Sequence, residues 1–255
     1  MSIQLLRTGV PFQSTERADA EGWVALGNDL STERLIEAYS RGIFPWPVAG
    51  VPLIPWNSPD PRGVLFVDQV RTGRSLRNHL RRGGFEVTTD RDFVRVMESC
   101  ATVPRQGARG TWILAPMKRA FTSLHLDGYA HSVEVWRGEG DDRTLVGGLY
   151  GVVIGAMFTG ESMFHLEEHG SRVALLALAT WCRRWGWPVI DCQVQTDNVQ
   201  RLGAVEIPRR DYLDLLEASL KRGDPPALWD ERLTSDELRA EWAGWDGTVG
   251  PEGAR

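Results

Sequence analysis

The sequence predicts an α+β fold, a mixed sheet with helices packed on it, and three observations carry that expectation. Residues 131–136 (HSVEVW), 144–155 (TLVGGLYGVVIG) and 156–164 (AMFTGESMF) are strand-like runs parted by turn residues at Gly138–Asp142 and around Gly155, the pattern of an antiparallel meander. The following run, RVALLALATWCRRWG, reads as a helix capped by Ser171 and stopped at Gly186. WPVIDCQVQ (187–195) is then strand-like again and is expected to pair with the meander's last strand.

The other elements follow in order. Ser31 caps a helix through Glu33–Tyr39 that stops at Gly42. Residues 42–63 hold six prolines, which argue against regular structure there. Phe44, Trp46, Leu53, Ile54 and Trp56 are too apolar for a loose linker, so a packed loop near a domain junction is expected. Val64–Val67 is a short strand, 71–82 a helix and 85–90 (FEVTTD) a strand, after which Asp90 caps RDFVRVMESCA. A helix over 115–127 carries Met117, Ala120, Phe121 and Leu124 on one face and ends at Gly128. Late in the chain, Asp197 caps a short helix through Leu202, and 211–223 is an amphipathic helix before a polar tail.

At 42% hydrophobic over 255 residues, the chain carries enough apolar material for a buried core. Its apolar runs are too short for a bilayer and no secretory leader opens it, so a cytoplasmic location is expected. Cys100, Cys182 and Cys192 form no C-x-x-C pair and read as reduced core thiols. No G-x-x-x-x-G-K-[ST], G-x-G-x-x-G or G-x-S-x-G occurs, which removes the usual signatures of nucleotide cradles and esterase serines. HLEEH (165–169) has a zinc-peptidase spacing, but Gly170 and the next helix cap break the turn that both histidines would share, so no metal is expected.

A net charge of −5 does not make the whole chain a polyanion binder. Locally, RTGRSLRNHLRR (71–82) holds Arg71, Arg74, Arg77, Arg81 and Arg82 with no acid among them, and Arg74, Arg77 and Arg81 share a helical face. That face is either solvated or an anion-binding patch. Some of the 11 tryptophans, such as Trp46 and Trp56, fall in loop-like sequence where a flat ring suits a flat ligand.

Within WPVIDCQVQ, strand alternation puts Asp191, Gln193 and Gln195 on one side and Ile190, Cys192 and Val194 on the other. The polar side is either an edge in water or a cleft wall where a carboxylate and an amide meet a substrate. Glu161, set among Phe158, Met163 and Phe164 in the preceding strand, needs a partner or a task. If the two strands are neighbours, Glu161 and Asp191 face one pocket, and two acids suit a cationic guest.

Six motifs in order, RGIFPWP, SPDPR, GTWI, GGLYGVVIGAMFTGESMF, VIDCQVQ and LGAVEIPRRDYL, closely resemble those of the leucyl/phenylalanyl-tRNA–protein transferases, and the resemblance runs from about Gly22 to Trp229. It implies an N-acetyltransferase-like domain, expected over 61–232, after a small N-terminal α/β domain (1–60) and before a C-terminal tail (233–255). It implies transfer of Leu or Phe, Met less well, from aminoacyl-tRNA to the N-terminal Arg or Lys of proteins, marking them for N-end-rule degradation. The donor ester is already activated, so no cofactor is expected.

By motif position, the resemblance makes Asp191 and Gln193 the catalytic pair and Glu161 their neighbouring carboxylate. It sets Trp46 and Trp112 against the terminal adenosine, and Arg74, Arg77, Arg81 and Arg82 along the acceptor stem. Leu149, Phe158, Met163, Leu175, Leu178, Cys182 and Ile190 fall at the amino-acid pocket. Two departures stand out: Leu178 and Cys182 replace larger aromatics, and His169-Gly170-Ser171 stands where relatives carry Asn or Asp before Ala-Ser.

The acceptor's α-amine has a pKa near 7.7–8.0, about four units above an ordinary carboxyl, so Asp191 is expected to orient the amine through Gln193 rather than take its proton outright. A coenzyme-A-dependent acetyltransferase would want a glycine-rich pyrophosphate loop where this chain has the acid-crowded HLEEHGSR. A non-catalytic RNA-binding protein would leave Glu161, Asp191 and Gln193 without a task.

Overall fold

Two sheets carry the fold in the computed structural model, which describes residues 3–48, 50–104, 111–138, 140–222 and 229–245. The first holds β1 (Gln4–Leu5), β2 (Trp23–Leu26), β3 (Phe44–Pro45) and β4 (Pro55–Asn57) in the order β1-β2-β4-β3. Helix α1 (Thr32–Tyr39) joins β2 to β3, and the Ser31 hydroxyl caps it. The proline-rich stretch therefore contains strands after all. They are short, Pro45 lies on the edge strand and Pro55 opens β4, the positions where a missing N–H costs no ladder bond.

The second sheet is built from β5 (Arg62–Phe66), β6 (Phe85–Thr89), β7 (Ala130–Arg137), β8 (Thr144–Ile154), β9 (Met157–His165), β10 (Val189–Gln193), β11 (Val205–Ile207) and β12 (Arg232–Thr234). Their order is β11-β5-β10-β9-β8-β7-β6-β12. Helices α2 (Arg74–Arg82), α3 (Phe93–Thr102), α4 (Ala115–Leu126), α5 (Gly170–Arg184), α6 (Asp197–Gln200), α7 (Arg209–Leu220) and α8 (Ser235–Glu241) flank it. The expected meander is β7-β8-β9, antiparallel throughout. Strand β10 pairs with β9 as expected, and the pair is parallel because α5 carries the chain back across the sheet.

That parallel ladder is short: Ile190 faces Phe158 and Asp191 faces Thr159. Strand β9 continues to His165, whereas β10 bulges between Asp191 and Gln193, and Gln193 adopts a left-handed φ of 62°. The strands part beyond this point.

Helix α5 is buried along most of its length, as its apolar sequence requires. It packs on one face of the second sheet with Val133, Leu149 and Phe158. On the other face, Phe93, Met97, Phe121 and Tyr150 share an apolar cluster with Leu35, Phe44 and Trp56 from the first sheet and its helix.

Several helix starts differ from the sequence expectation. Asp92, not Asp90, caps α3; Asp90 turns left-handed (φ 53°) and accepts from the Ser132 N–H at 2.7 Å instead. Thr196 rather than Asp197 precedes α6. Ser171 lies inside α5, whose cap is His169 in a left-handed conformation with no capping side-chain bond. The helix begins two residues early, where Gly170 rests on Gly147: a Cβ on Gly147 would stand 2.5 Å from the Gly170 carbonyl carbon. Among the described residues, no helix is long and apolar enough to cross a membrane, and no group of His, Cys, Asp or Glu is arranged to hold a metal ion.

Candidate active site

Where β9 and β10 part, a cavity of about 840 Å³ opens. Its apolar depth is formed by Leu149, Phe158, Met163, Leu175 and Ile190, and Trp46 and Trp112 also line it. Leu178 and Cys182 do not: both are fully buried in the core. They sit on α5 among residues packed away from the cavity, so sequence position alone brought them into the pocket set.

Glu161, Asp191 and Gln193 converge on the polar wall. Asp191 is 0% exposed and Arg62 1%. The Arg62 guanidinium donates Nε to Oδ1 at 2.8 Å and Nη2 to Oδ2 at 2.6 Å, a bidentate pair. The Tyr212 hydroxyl (3.0 Å) and Thr159 hydroxyl (3.1 Å) donate to Oδ2, and the Gln193 N–H donates to Oδ1 at 2.8 Å. Arg62 also donates to the Gly42 carbonyl at 3.0 Å and lies against the Phe44 and Tyr212 rings. Every strong acceptor direction of Asp191 is thus used inside the protein. Burial works against the Arg62 charge, but Asp191 outweighs it and holds the guanidinium firmly protonated. Burial raises the Tyr212 hydroxyl well above the ordinary tyrosine range.

Gln193 connects this buried pair to the cavity. Its backbone N–H binds Asp191, and its side-chain Nε2 donates to Glu161 Oε1 at 2.6 Å. The Tyr39 hydroxyl, from α1, donates to the same oxygen at 2.7 Å. Burial pushes the Glu161 carboxyl up from 4.5 to about 8; the Tyr39 and Gln193 hydrogen bonds pull against that rise. The two acids therefore do not present two free negative charges. Glu161 is mostly protonated at pH 7 and Asp191 is matched by Arg62, so the inference of a cationic guest loses its basis in this pair. Asp197, exposed and lining the cavity's outer part, is a carboxylate better placed to meet a cation.

Strand alternation misplaced Gln195. The bulge ends β10 at Gln193, and Gln195 turns away to donate to the Ala204 carbonyl at 2.8 Å. Sequence reasoning also missed Arg62, Tyr212, Thr159 and Tyr39. Arg62 and Tyr212 were visible inside SPDPR and LGAVEIPRRDYL as polar side chains beside apolar runs, but their long-range pairing with Asp191 has no local signal.

The exposed arginines of α2 stand as the helical spacing requires: Leu76 and Leu80 face inward, and Arg74, Arg77, Arg81 and Arg82 face out. Among the described residues none of these four forms an ion pair with a carboxylate. The Ser75 hydroxyl and His169 Nε2, 2.9 Å apart, tie the start of α2 to the start of α5.

A leucyl/phenylalanyl-tRNA protein transferase family model matches residues 64–217, and its N-terminal domain model matches residues 28–60. The chain belongs to this family. A leucyl/phenylalanyl-tRNA–protein transferase from Myxococcus xanthus is 48% identical over 238 residues, 92% of this chain and 100% of that one. One from Xanthomonas euvesicatoria is 46% identical over 224 residues, 87% of this chain and 88% of the relative. One from Thiobacillus denitrificans is 48% identical over 219 residues, 86% and 93%. Membership makes this chain a transferase enzyme. A solved structure of L-PGS from Bacillus licheniformis aligns with a TM-score of 0.35 and 11% identity, over 65% of this chain and 51% of that one, too remote to inform the fold.

Proposed function

We propose that this transferase moves Leu or Phe, Met less well, from aminoacyl-tRNA to the N-terminal Arg or Lys of a protein. The observation that carries the reading is the relay Arg62–Asp191–Gln193–Glu161, ending at a carboxyl of pKa about 8 on the wall of an apolar cavity. An α-ammonium at 7.7–8.0 and a carboxyl near 8 exchange a proton at almost no cost. Glu161 is therefore the proton acceptor, and Asp191 fixes Gln193, which orients Glu161 and the incoming amine.

The neutral amine attacks the ester carbonyl. The new C–N bond forms, the bond from the carbonyl carbon to the terminal ribose oxygen breaks, and ionised Glu161 takes the amine's proton and returns it to that oxygen. No cofactor enters the balance. Positioning supplies most of the remaining rate.

Leu149, Phe158, Met163, Leu175 and Ile190 would hold the aminoacyl side chain. Trp46 and Trp112 would stack the terminal adenine, and the α2 arginines would meet acceptor-stem phosphates. Asp197 would face the acceptor's side-chain cation. We read residues 1–60 as a small leading domain, 61–232 as an N-acetyltransferase-like catalytic domain and 233–255 as a tail. The parallel β9–α5–β10 unit that parts to open a cleft supports this division.

The test is transfer to a peptide beginning with Arg, with leucyl- and phenylalanyl-tRNA side by side and an acetylated peptide as control. Labelling of the free peptide alone is expected. Labelling of neither peptide with either donor would overturn the reading.

A further inference from the structure

The start of α5 is built as an open anion cradle. His169 caps the helix without a side-chain hydrogen bond, and the Ser171 and Arg172 N–H groups meet no acceptor among the described residues. The first-turn N–H groups of a fifteen-residue helix carry the positive end of its dipole. A second feature points the same way. Ser171 is 3% exposed, its hydroxyl has no hydrogen-bond partner among the described residues, and it lines the cavity. Arg172 lines the cavity beside it and forms no ion pair with a described carboxylate.

The surroundings fix this geometry. Arg172 Nη1 lies 3.2 Å from His169 Nδ1 and can only donate, so Nδ1 accepts and the Nε2–H faces the Ser75 hydroxyl at 2.9 Å and Glu168 Oε1 at 3.3 Å. Burial and Arg172 keep His169 below the ordinary histidine range. The acids of HLEEH do not enter the cradle. Glu167 accepts from Arg137 Nε at 2.7 Å; Glu168, 74% exposed, meets His169 Nε2 at 3.3 Å; neither lines the cavity. The acid crowding expected from sequence is thus taken up by Arg137 and the His169 ring, outside the cavity lining. Contact between Gly170 and Gly147 pins the helix start to β8.

We propose that this cradle is a phosphate subsite for the donor: the Ser171 and Arg172 N–H groups, the Ser171 hydroxyl and the Arg172 guanidinium hold the phosphodiester joining the last two nucleotides. The inference rests on the donor being aminoacyl-tRNA. The subsite lies between the α2 arginines, joined to it through Ser75 and His169, and the cavity that takes the aminoacyl group. It thereby sets how deep the terminal nucleoside sits.

The test uses the full chain and three probes. The first is 3′-phenylalanylamido-3′-deoxyadenosine, a stable mimic of the aminoacyl end. The second is the same nucleoside with a 5′-methyl phosphodiester, and the third is inorganic phosphate. The diester is expected to bind wild type about tenfold tighter than the nucleoside, with a log–log salt slope steeper by about 0.7. In Ser171→Ala and Arg172→Gln that gain should fall to about twofold or less while the nucleoside binds as before. Inorganic phosphate should shift the Ser171 and Arg172 backbone amide resonances in wild type and not in Arg172→Gln.

A diester gain that survives both variants overturns the subsite. So does a loss shared equally by the nucleoside, which would mark a structural role. If both nucleosides bind equally and phosphate shifts neither amide, the subsite falls and the donor reading stands. If neither nucleoside binds but phosphate still shifts both amides, the cradle stands as an anion site and the donor reading falls.

Discussion

Replacing Glu161 with Gln separates proton transfer from geometry. The amide keeps an acceptor oxygen for Tyr39 and Gln193, which donate at 2.7 and 2.6 Å, so the wall should hold its shape. What would be lost, on the proposed mechanism, is a base of pKa about 8. In the wild type, kcat/KM for the acceptor requires a neutral amine and an ionised Glu161, so below about pH 7.5 it should fall roughly a hundredfold per pH unit, a slope of two. In Glu161→Gln only the amine titrates, and the slope should be one. The variant's deficit should be about a hundredfold above pH 8.5, about tenfold at pH 7 and almost nothing at pH 6. Single-turnover transfer to an Arg-starting peptide from pH 6 to 9 measures this. Two parallel profiles with a constant ratio would remove Glu161 as the proton acceptor.

Other outcomes follow from the same contacts. Because burial raises Glu161, stability is full below pH 4.5 and is lost as pH climbs toward 8; Glu161→Gln lacks that loss, so its urea stability relative to wild type should improve by up to about 3 kcal/mol between pH 5 and 8. Asp191→Asn strands the Arg62 guanidinium without a counter-charge and is expected to cost about 3–5 kcal/mol in urea unfolding, with turnover falling more than tRNA affinity. A cost below 1 kcal/mol would mean the pair is not formed. Met163→Phe narrows the cavity and should shift the Leu:Phe ratio toward Leu by about tenfold, whereas Leu178→Phe overfills closed core and should mainly destabilise, by about 1–3 kcal/mol. Neutralising Arg77 and Arg81 should flatten the log–log salt dependence of tRNA binding by between one and two; an unchanged slope would mean a merely solvated face.

The layout of the second sheet was legible because its signals are local. Turn residues part β7, β8 and β9, α5 is apolar for four turns, and β10 is short and β-branched. The juxtaposition of Glu161 with Asp191 and Gln193 needed one further inference, that β9 and β10 are neighbours. Contacts between distant segments were invisible: Arg62 to Asp191 spans 129 residues and Tyr39 to Glu161 spans 122. Strand alternation also fails where a strand ends in a bulge, which is why Gln195 was carried to the wrong side. Capping patterns named the right neighbourhood but the wrong residue at Asp90 and Ser171, because tertiary contacts claimed those side chains or that backbone first.

The left-handed φ of 62° at Gln193 sets two demands against each other at a single residue. Glycine would relax that twist, but Gln193→Gly would also forfeit the 2.6 Å bond from Nε2 to Glu161 and leave a hole where a buried side chain stood. Relief of the backbone and loss of the side chain oppose each other in the melting temperature, whereas the loss at Glu161 has nothing to offset it. On the proposed mechanism, a glycine at this position would leave transfer weaker whichever way stability moved.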